Sequence, residues 1–104
     1  MRPDTAAVFA ALGDETRLRL VSRLCGRGPM SITKLSAGFS ITRQAITKHL
    51  RVMESAGLVC STQQGREIVW ELEQQRLADA RRHLQTISAQ WDETLGRLKR
   101  FVER

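Results

Sequence analysis

Side chains that can donate hydrogen bonds recur at helical spacing within one segment of the chain: Arg43, Gln44, Thr47, Lys48 and Arg51. The opposite face of the same helix would be mostly apolar and should pack on a core; it carries Ala45, Ile46, His49, Leu50 and Met53. The donor face is expected to hold no acid. Because guanidinium, ammonium and amide groups donate to phosphates and to base edges, this segment is predicted to be a DNA-reading helix.

The limits of this helix can also be read from the sequence. Thr42 is a good N-cap, since its hydroxyl can accept a hydrogen bond from a backbone N–H that is otherwise unpaired. Gly57 is placed to end the helix. Thr42 therefore joins the predicted DNA-binding residues.

Two predicted helices precede this segment and a third leads into it. The first covers residues 4–12, and the second follows Asp14 and ends in the Gly-Arg-Gly-Pro stretch at 26–29. The second helix is expected to bury a stripe of Leu18, Val21, Leu24 and Cys25 and to keep Arg17, Arg19 and Arg23 outside. A minimal strand at 30–32 and a short helix at 33–39 follow, so residues 33–56 predict a helix-turn-helix whose second helix would enter a major groove.

Residues 58–72 alternate between apolar and polar types, with Gln64-Gly65-Arg66 as the turn between two short strands. On the second strand Ile68, Trp70 and Leu72 share the face expected to pack on the helices. Arg66, at the tip, could reach a phosphate or a minor groove. A helix-turn-helix followed by such a hairpin predicts a mainly α fold with a small β-hairpin, the winged helix-turn-helix.

From about residue 74 to 103 apolar residues repeat by threes and fours, which predicts one long helix, or two broken near Gly96. Such a helix would be longer than the small domain before it can cover, so part of its apolar face should meet a second copy. The alternative is a helix folded back on its own domain. The side chains predicted for a dimer interface here are Leu84, Ile87, Trp91, Leu95, Leu98 and Phe101.

Composition limits the other possibilities. A chain of 104 residues is expected to form a single domain with one function. Its 17 Lys and Arg against 11 Asp and Glu give a net charge of +6. All but three of those cations are arginine, which favours a polyanionic partner. Basic charge alone also fits a protein that is basic only for solubility. The positions of the charges must therefore distinguish a nucleic-acid-binding protein from one that is merely soluble.

The same composition predicts a cytoplasmic location. The two cysteines fit a reducing compartment, the N-terminus lacks the apolar core of a secretory signal, and no apolar run is long enough to span a bilayer. No catalytic triad spacing, phosphate-binding glycine loop or apolar carboxylate pair is visible, so an enzyme and a cofactor are not expected.

Four stretches together resemble the ArsR family of winged-helix repressors: ALGDETRLRL at 11–20, MSITKL at 30–35, ITRQAITKHLR at 41–51 and ESAGLV at 54–59. The C-terminal segment at 87–103 is similar to a subgroup without the family's metal sites. The resemblance implies a prokaryotic homodimer built on the first and last helices, which adds Phe9 to the predicted interface, bound to a pseudo-palindromic operator. By the family pattern Arg43, Gln44, Thr47 and Lys48 would face bases or phosphates.

Departures from the family pattern concern the metal sites. Residues 31–39 contain no cysteine or histidine, so the arsenite or cadmium site is absent. Asp79 and His83 lie one turn apart, but two ligands are too few for a dimer-interface site, and no metal is predicted. His49 is interpreted as a structural residue at the base of the reading helix, with a role in sensing phosphate as the alternative.

The favoured function is thus a homodimeric, sequence-specific repressor of its own or neighbouring genes. One alternative is a winged-helix protein-interaction module with a basic surface. Another is a thiol-redox-sensing repressor that uses Cys25 and Cys60, although both cysteines fall on apolar patterns that favour simple burial. A small-molecule effector is compatible with the sequence, which does not identify one.

Overall fold

The computed structural model describes the backbone of residues 3–103 and the side chains of residues 5–103. The elements follow one another as α1 (Pro3–Leu12), α2 (Glu15–Arg27), β1 (Met30–Ser31), α3 (Ile32–Leu35), α4 (Arg43–Ser55), β2 (Val59–Gln64), β3 (Glu67–Leu72) and α5 (Gln74–Val102). The three strands form an antiparallel sheet in the order β1-β3-β2. This architecture confirms the predicted mainly α winged helix-turn-helix with a long C-terminal helix.

The core lies where the helices meet the sheet. Its largest fully buried side chain is Trp70, in the central strand, whose Cα pairs with Met30 on one side and Ser61 on the other. The helices contribute buried aliphatic side chains to the same cluster, chiefly Val8, Leu20, Leu35, Ile46, Leu50 and Met53. Burial of this set fixes α4 against α2 and the sheet, because each apolar group removed from water favours the packed arrangement.

The hairpin turn is tighter than the three residues predicted for it. Gln64 pairs with Glu67, which leaves Gly65 and Arg66 as a two-residue loop. In this loop Gly65 has φ +63°, whereas Arg66 does not have a positive φ. This combination is the pattern of a type II′ turn. On β3, Trp70 and Leu72 are buried and Ile68 is half-buried, as the alternation predicted.

Two local predictions about the helices are wrong. The third helix covers only four residues and ends at Leu35, so Phe39 lies beyond it, although its ring still packs against the core. In α2 the buried residues are Leu20, Val21 and Leu24, whereas Leu18 is half-exposed and Cys25 is exposed. The apolar stripe is therefore rotated about the helix axis from the one predicted, because α2 meets both α4 and β3 rather than a single flat surface.

The last helix is continuous through Gly96. With 29 residues it is roughly 43 Å long at 1.5 Å per residue. The radius of gyration is 17.8 Å, whereas a compact domain of this length would have about 13 Å. The difference reflects the part of α5 that extends away from the other elements. No helix in the described part of the chain is both long and apolar enough to cross a membrane.

Candidate nucleic-acid interface

The reading helix α4 has well-defined ends. The Thr42 hydroxyl accepts a hydrogen bond from the Ala45 N–H at 3.1 Å, which confirms the predicted N-cap. At the other end Gly57 has φ +76°, its N–H donates to the Glu54 carbonyl, and the Leu58 N–H donates to the Met53 carbonyl. These two bonds form a Schellman motif, which satisfies carbonyls that the end of a helix leaves unpaired.

Burial divides α4 into two faces. Ile46, Leu50 and Met53 are completely inaccessible to solvent, and Ala45 and His49 are half-buried beside them. The predicted DNA-binding residues lie on the other side: Thr42, Arg43, Gln44, Lys48 and Arg51 are exposed, and Thr47 is half-buried at the edge of that face. The helix is thus held by its apolar face while its donors point outward.

Two arginines on the outer face already have partners within the chain. Arg43 Nη2 donates to the Thr33 hydroxyl at 2.7 Å and so reaches back to α3. Arg51 Nη1 donates to Glu54 Oε1 at 2.8 Å. The expectation of a donor face without an acid is therefore wrong at its last turn, because Glu54 lies one turn beyond Arg51 on the same side.

Arg66 is exposed at the tip of the wing, and Glu67 follows it at the first position of β3. The side-chain amide of Gln63 donates to the Gly65 carbonyl at 2.9 Å, which ties the loop to the end of β2. The turn consists of Gly65 and Arg66, and Arg66 carries a positive charge. The wing therefore presents a guanidinium on a short, constrained loop.

His49, midway along α4, takes part in a cluster that the sequence did not predict. Arg17 Nη1 lies 3.3 Å from His49 Nδ1, and Arg17 Nε donates to the Ala11 carbonyl at 2.6 Å. The Asp14 carboxylate accepts from the Arg17 N–H at 3.0 Å and lies 3.8 Å from His49 Nδ1. The bond from that backbone N–H is the main reason why the pKa of Asp14 is lowered. Arg17, expected to point outward, thus links α1, α2 and α4.

Two other arginines of α2, Arg19 and Arg23, contact the turn between α3 and α4. Arg23 Nη1 donates to the carbonyls of Leu35 and Ala37 at 2.8 and 2.5 Å. The guanidinium carbons of Arg19 and Arg23 lie 4.4 and 4.8 Å from the centre of the Phe39 ring, within the range of cation–π contacts. Arg23 is half-buried, not outside as predicted, because the end of α3 needs donors for its carbonyls.

The predicted dimer residues of α5 form an exposed apolar strip: Leu84 (53% exposed), Ile87 (36%), Trp91 (60%), Leu95 (53%), Leu98 (56%) and Phe101 (69%). Phe9, on α1, is half-buried, and its ring lies 5.9 Å from that of His83. By contrast Leu77 and Ala80, earlier on the same helix, pack against the protein core. The helix therefore changes from covering its own domain to carrying an uncovered apolar face.

Among the described side chains, no three His, Cys, Asp or Glu groups come close enough to hold a metal ion. The Asp79 carboxylate instead accepts hydrogen bonds from Arg82 and, at 3.2 Å, from Gln75, while His83 faces Phe9. Both candidate ligands thus have other contacts.

The expected burial of both cysteines is wrong for Cys25, which is exposed, while Cys60 is half-buried. The nearby carboxylate of Glu73, together with burial and the carboxylate of Glu71, to which the thiol donates at 3.8 Å, raises the pKa of Cys60 to about 11. A thiol that keeps its proton is a poor nucleophile, so this environment argues against redox sensing at Cys60.

Comparisons with known proteins agree with this geometry. A family model described as a helix-turn-helix domain matches residues 12–61. The chain is 42% identical over 72 residues to the uncharacterized HTH-type transcriptional regulator YuzN of Bacillus subtilis, which covers 64% of this chain and 78% of that protein. It is 37% identical over 82 residues to the HTH-type transcriptional regulator Rv2034 of Mycobacterium tuberculosis, which covers 79% of this chain and 74% of that protein.

Solved structures include a similar protein of nearly the same extent. An ArsR-like transcriptional regulator from Rhodococcus sp. RHA1 superposes with a TM-score of 0.75 at 40% sequence identity, covering 94% of this chain and 92% of that one. The similarity therefore includes the long C-terminal helix as well as the reading helix.

Proposed function

Because this chain belongs to the ArsR family of helix-turn-helix transcriptional regulators, we propose that it is a repressor that binds a pseudo-palindromic operator as a homodimer. It is a DNA-binding regulator and not an enzyme. The observation that carries the proposal is the outer face of α4, where donors are exposed while Ile46, Leu50 and Met53 hold the opposite face in the core. Repression follows if the bound dimer competes with RNA polymerase for the same DNA.

We assign different tasks to the donors on α4. Arg43 and Gln44, in the first turn, and Thr47, one turn later, read base edges, because bidentate guanidinium and amide groups distinguish guanine and adenine in the major groove. Lys48 binds the phosphate backbone as a point charge. The Thr42 hydroxyl accepts the Ala45 N–H, and its own proton stays available to donate to a phosphate.

Arg66 extends the contact to the flank of the same half-site. Its short loop fixes the Arg66 backbone relative to β3, and β3 packs on the helices through Trp70. From this position the Arg66 guanidinium can enter a minor groove or bind its phosphates. Residues 33–72 then act as one reading unit within a single domain.

The exposed strip of α5 supports the homodimer. Leu77, Leu84, Trp91 and Leu98 are spaced by seven residues, and so are Ala80, Ile87, Thr94 and Phe101. This heptad pattern is typical of helices that pack side by side in a left-handed bundle. Because Leu77 and Ala80 cover the core of their own domain, the second copy would meet the strip from Leu84 onward, with Phe9 at its border.

We propose that this repressor works without a metal ion, in keeping with the subgroup that its C-terminal helix resembles. Support comes from the contacts of the two candidate ligands on α5, since Asp79 is held by Arg82 and Gln75 and His83 packs on Phe9. A metal ion would have to displace both arrangements.

The test is a binding titration with a duplex that the wild-type protein selects from a random pool, compared with a scrambled duplex. Arg43→Ala is expected to lower the preference for the selected duplex about 10- to 100-fold. Lys48→Ala is expected to weaken binding to both duplexes and to reduce the slope of log affinity against log salt by about one.

Lys99→Ala is the matched control, because Lys99 is an exposed lysine near the end of α5 that lies 4.0 Å from Glu103. It should leave both affinities and the slope unchanged. Equal losses on both duplexes from Arg43→Ala and Lys48→Ala would contradict the assignment of base reading to Arg43. If selection yields no preferred sequence, the protein does not act as a sequence-specific repressor and a protein-interaction role gains weight.

A further inference from the structure

A chain of polar contacts joins the last turn of the reading helix to the base of the wing. Glu54, on α4, receives a hydrogen bond on each carboxylate oxygen: Arg51 Nη1 donates to Oε1 at 2.8 Å, and Ser61 Oγ donates to Oε2 at 2.9 Å. Ser61 lies on β2, so the carboxylate bridges two elements that the sequence places on opposite sides of the Gly57 turn.

The same arginine makes a second contact with the wing. The guanidinium carbon of Arg51 lies 4.9 Å from the centre of the Trp70 ring, within cation–π distance. Trp70 and Ser61 are direct partners across β2 and β3, so both contacts end on one pair of residues. Trp70 is 1% exposed and sits in the central strand, so it cannot move without the sheet.

These contacts change how Arg51 is interpreted. As a phosphate ligand it would contribute a free positive charge to the outer face of α4, but its charge is paired with that of Glu54. Arg43, at the other end of that face, donates instead to the neutral hydroxyl of Thr33. A positive charge that is already paired with an acid attracts phosphate less than an unpaired one, because the two fields largely cancel at the distance of the DNA.

We propose that Arg51, Glu54 and Ser61 are positioning residues that fix the wing against the reading helix, so that Arg66 and the donors of α4 engage the same half-site together. This inference rests on the proposed DNA-binding function and deepens it. Arg51 acts through Glu54 and Trp70, and its side chain is not itself a phosphate ligand.

The state of the carboxylate supports this role. The pKa of Glu54 is lowered, first by the hydrogen bond from Arg51 and then by that from Ser61, so the bridging group remains ionised at neutral pH. Loss of the Ser61 hydroxyl removes the hydrogen bond between β2 and the Glu54 carboxylate. The core, the charge of α4 and the Arg66 guanidinium remain in place. Ser61→Ala is therefore the most conservative way to weaken the polar link between the wing and α4.

The decisive measurement is a double-mutant cycle between Ser61→Ala and Arg66→Ala, read as affinity for the selected duplex. If Ser61 acts by placing the wing, Ser61→Ala should weaken binding about three- to tenfold, and Arg66→Ala should then cost much less than it does alone. Ser61→Thr keeps the hydroxyl and should restore binding. Thermal unfolding midpoints of all variants show whether they are folded, and additive effects of the two alanine substitutions would overturn the proposal.

Two further variants separate positioning from simple charge. Glu54→Gln should lower the ratio of the affinities for the selected and the scrambled duplex, whereas neutralising an acid that merely repels DNA would raise both affinities by the same factor. Glu67→Gln, an exposed acid beside Arg66, is the matched control and should raise affinity for both duplexes slightly. An equal rise in the affinity of Glu54→Gln for both duplexes would overturn the proposal.

The salt dependence of Arg51→Gln, measured in the Arg66→Ala background, completes the test, because a displaced wing then has no Arg66 phosphate contact to lose. A lost phosphate contact reduces the slope of log affinity against log salt by about 0.9, whereas a lost positioning contact lowers affinity at an unchanged slope. A reduced slope would overturn the proposed role of Arg51. If the wild-type protein selects no duplex, the proposed DNA-binding function fails, and this inference fails with it. If Arg43→Ala loses discrimination but the effects of Ser61→Ala and Arg66→Ala are additive, only this inference fails.

Discussion

Trp91→Ala tests whether the exposed strip of α5 is the dimer interface. An aromatic side chain buries about 150–250 Å² when fully covered. With 60% of Trp91 exposed in the protomer, roughly 120 Å² remain to be buried, which corresponds to about 3 kcal/mol at 25 cal/mol per Å². A symmetric dimer contains two such side chains, so the upper estimate is about 6 kcal/mol, or about four powers of ten in the dissociation constant.

Partial burial in the dimer and the area that alanine retains both reduce this figure. We therefore expect the dimer dissociation constant to rise at least a hundredfold, measured by sedimentation equilibrium over a range of protein concentrations. Tryptophan fluorescence gives a second measure: Trp70 is buried in either state, so quenching by acrylamide that increases on dilution would report Trp91.

Leu18→Ala is the matched control, because Leu18 is a large apolar side chain that is 50% exposed on α2, away from the strip. It should leave the dimer dissociation constant within about threefold of wild type. The reasoning is refuted if Trp91→Ala does no more than Leu18→Ala while α5 keeps its helical circular dichroism. That result would favour contact of α5 with another partner.

Four other outcomes follow from the structure. Gly96→Ala should stabilise the protein by about 0.5–1 kcal/mol in thermal or urea unfolding, because a Cβ there meets only the Arg100 guanidinium at 3.4 Å; a loss of stability would contradict a regular helix at this point. The same change at Gly57 should cost at least about 1 kcal/mol, since φ is +76° and the Cβ would lie 3.0 Å from Arg76 Nε; a neutral effect would argue against the Schellman motif. Cys60, with a pKa of about 11, should be alkylated about a hundred times more slowly at pH 8 in the native protein than in urea, and equal rates would show that its thiol is not held by Glu73. The pKa of Asp14 is lowered in the folded protein, so its carboxylate stabilises the fold above about pH 4, and this contribution is lost as the pH falls through the folded pKa. Asp14→Ala should therefore show a flatter dependence of stability on acid pH than wild type. Parallel acid curves would contradict the bond that the Asp14 carboxylate accepts from the Arg17 N–H at the start of α2.

Much of the reading unit could be predicted because its signals are local. Thr42 and Gly57 determine the ends of α4 through their own side chain and backbone, and the alternation on β3 selects the face that carries Trp70. Helical and strand periodicity act over a few neighbouring residues, and so they are present in the sequence before any tertiary contact forms. The exposed strip of α5 belongs to the same class, since its spacing follows from the helix alone.

Apart from Glu54 on the donor face of α4, most of the errors concern contacts between residues that are distant in the chain. Arg17 reaches His49 across 32 positions and Arg23 reaches Ala37 across 14, and both arginines were expected to remain outside. The guanidinium groups of both arginines contact carbonyls and rings from other parts of the chain. Helical periodicity does not reveal these partners. The exposure of Leu18 and Cys25 has the same origin, because the buried side of α2 depends on what packs against it.

The sequence by itself therefore determined that a helix with an exposed donor face, a wing and a long apolar helix exist, because each depends on local periodicity and capping. Only the tertiary structure decided which donors are free. Glu54 pairs with Arg51 through helical spacing alone, but the bond from Ser61 to Glu54 and the contact of Arg51 with Trp70 exist because the Gly57 turn brings the hairpin back to the last turn of α4. A charge on a helix surface is defined by what the rest of the fold places beside it, and that depends on the packed chain as a whole.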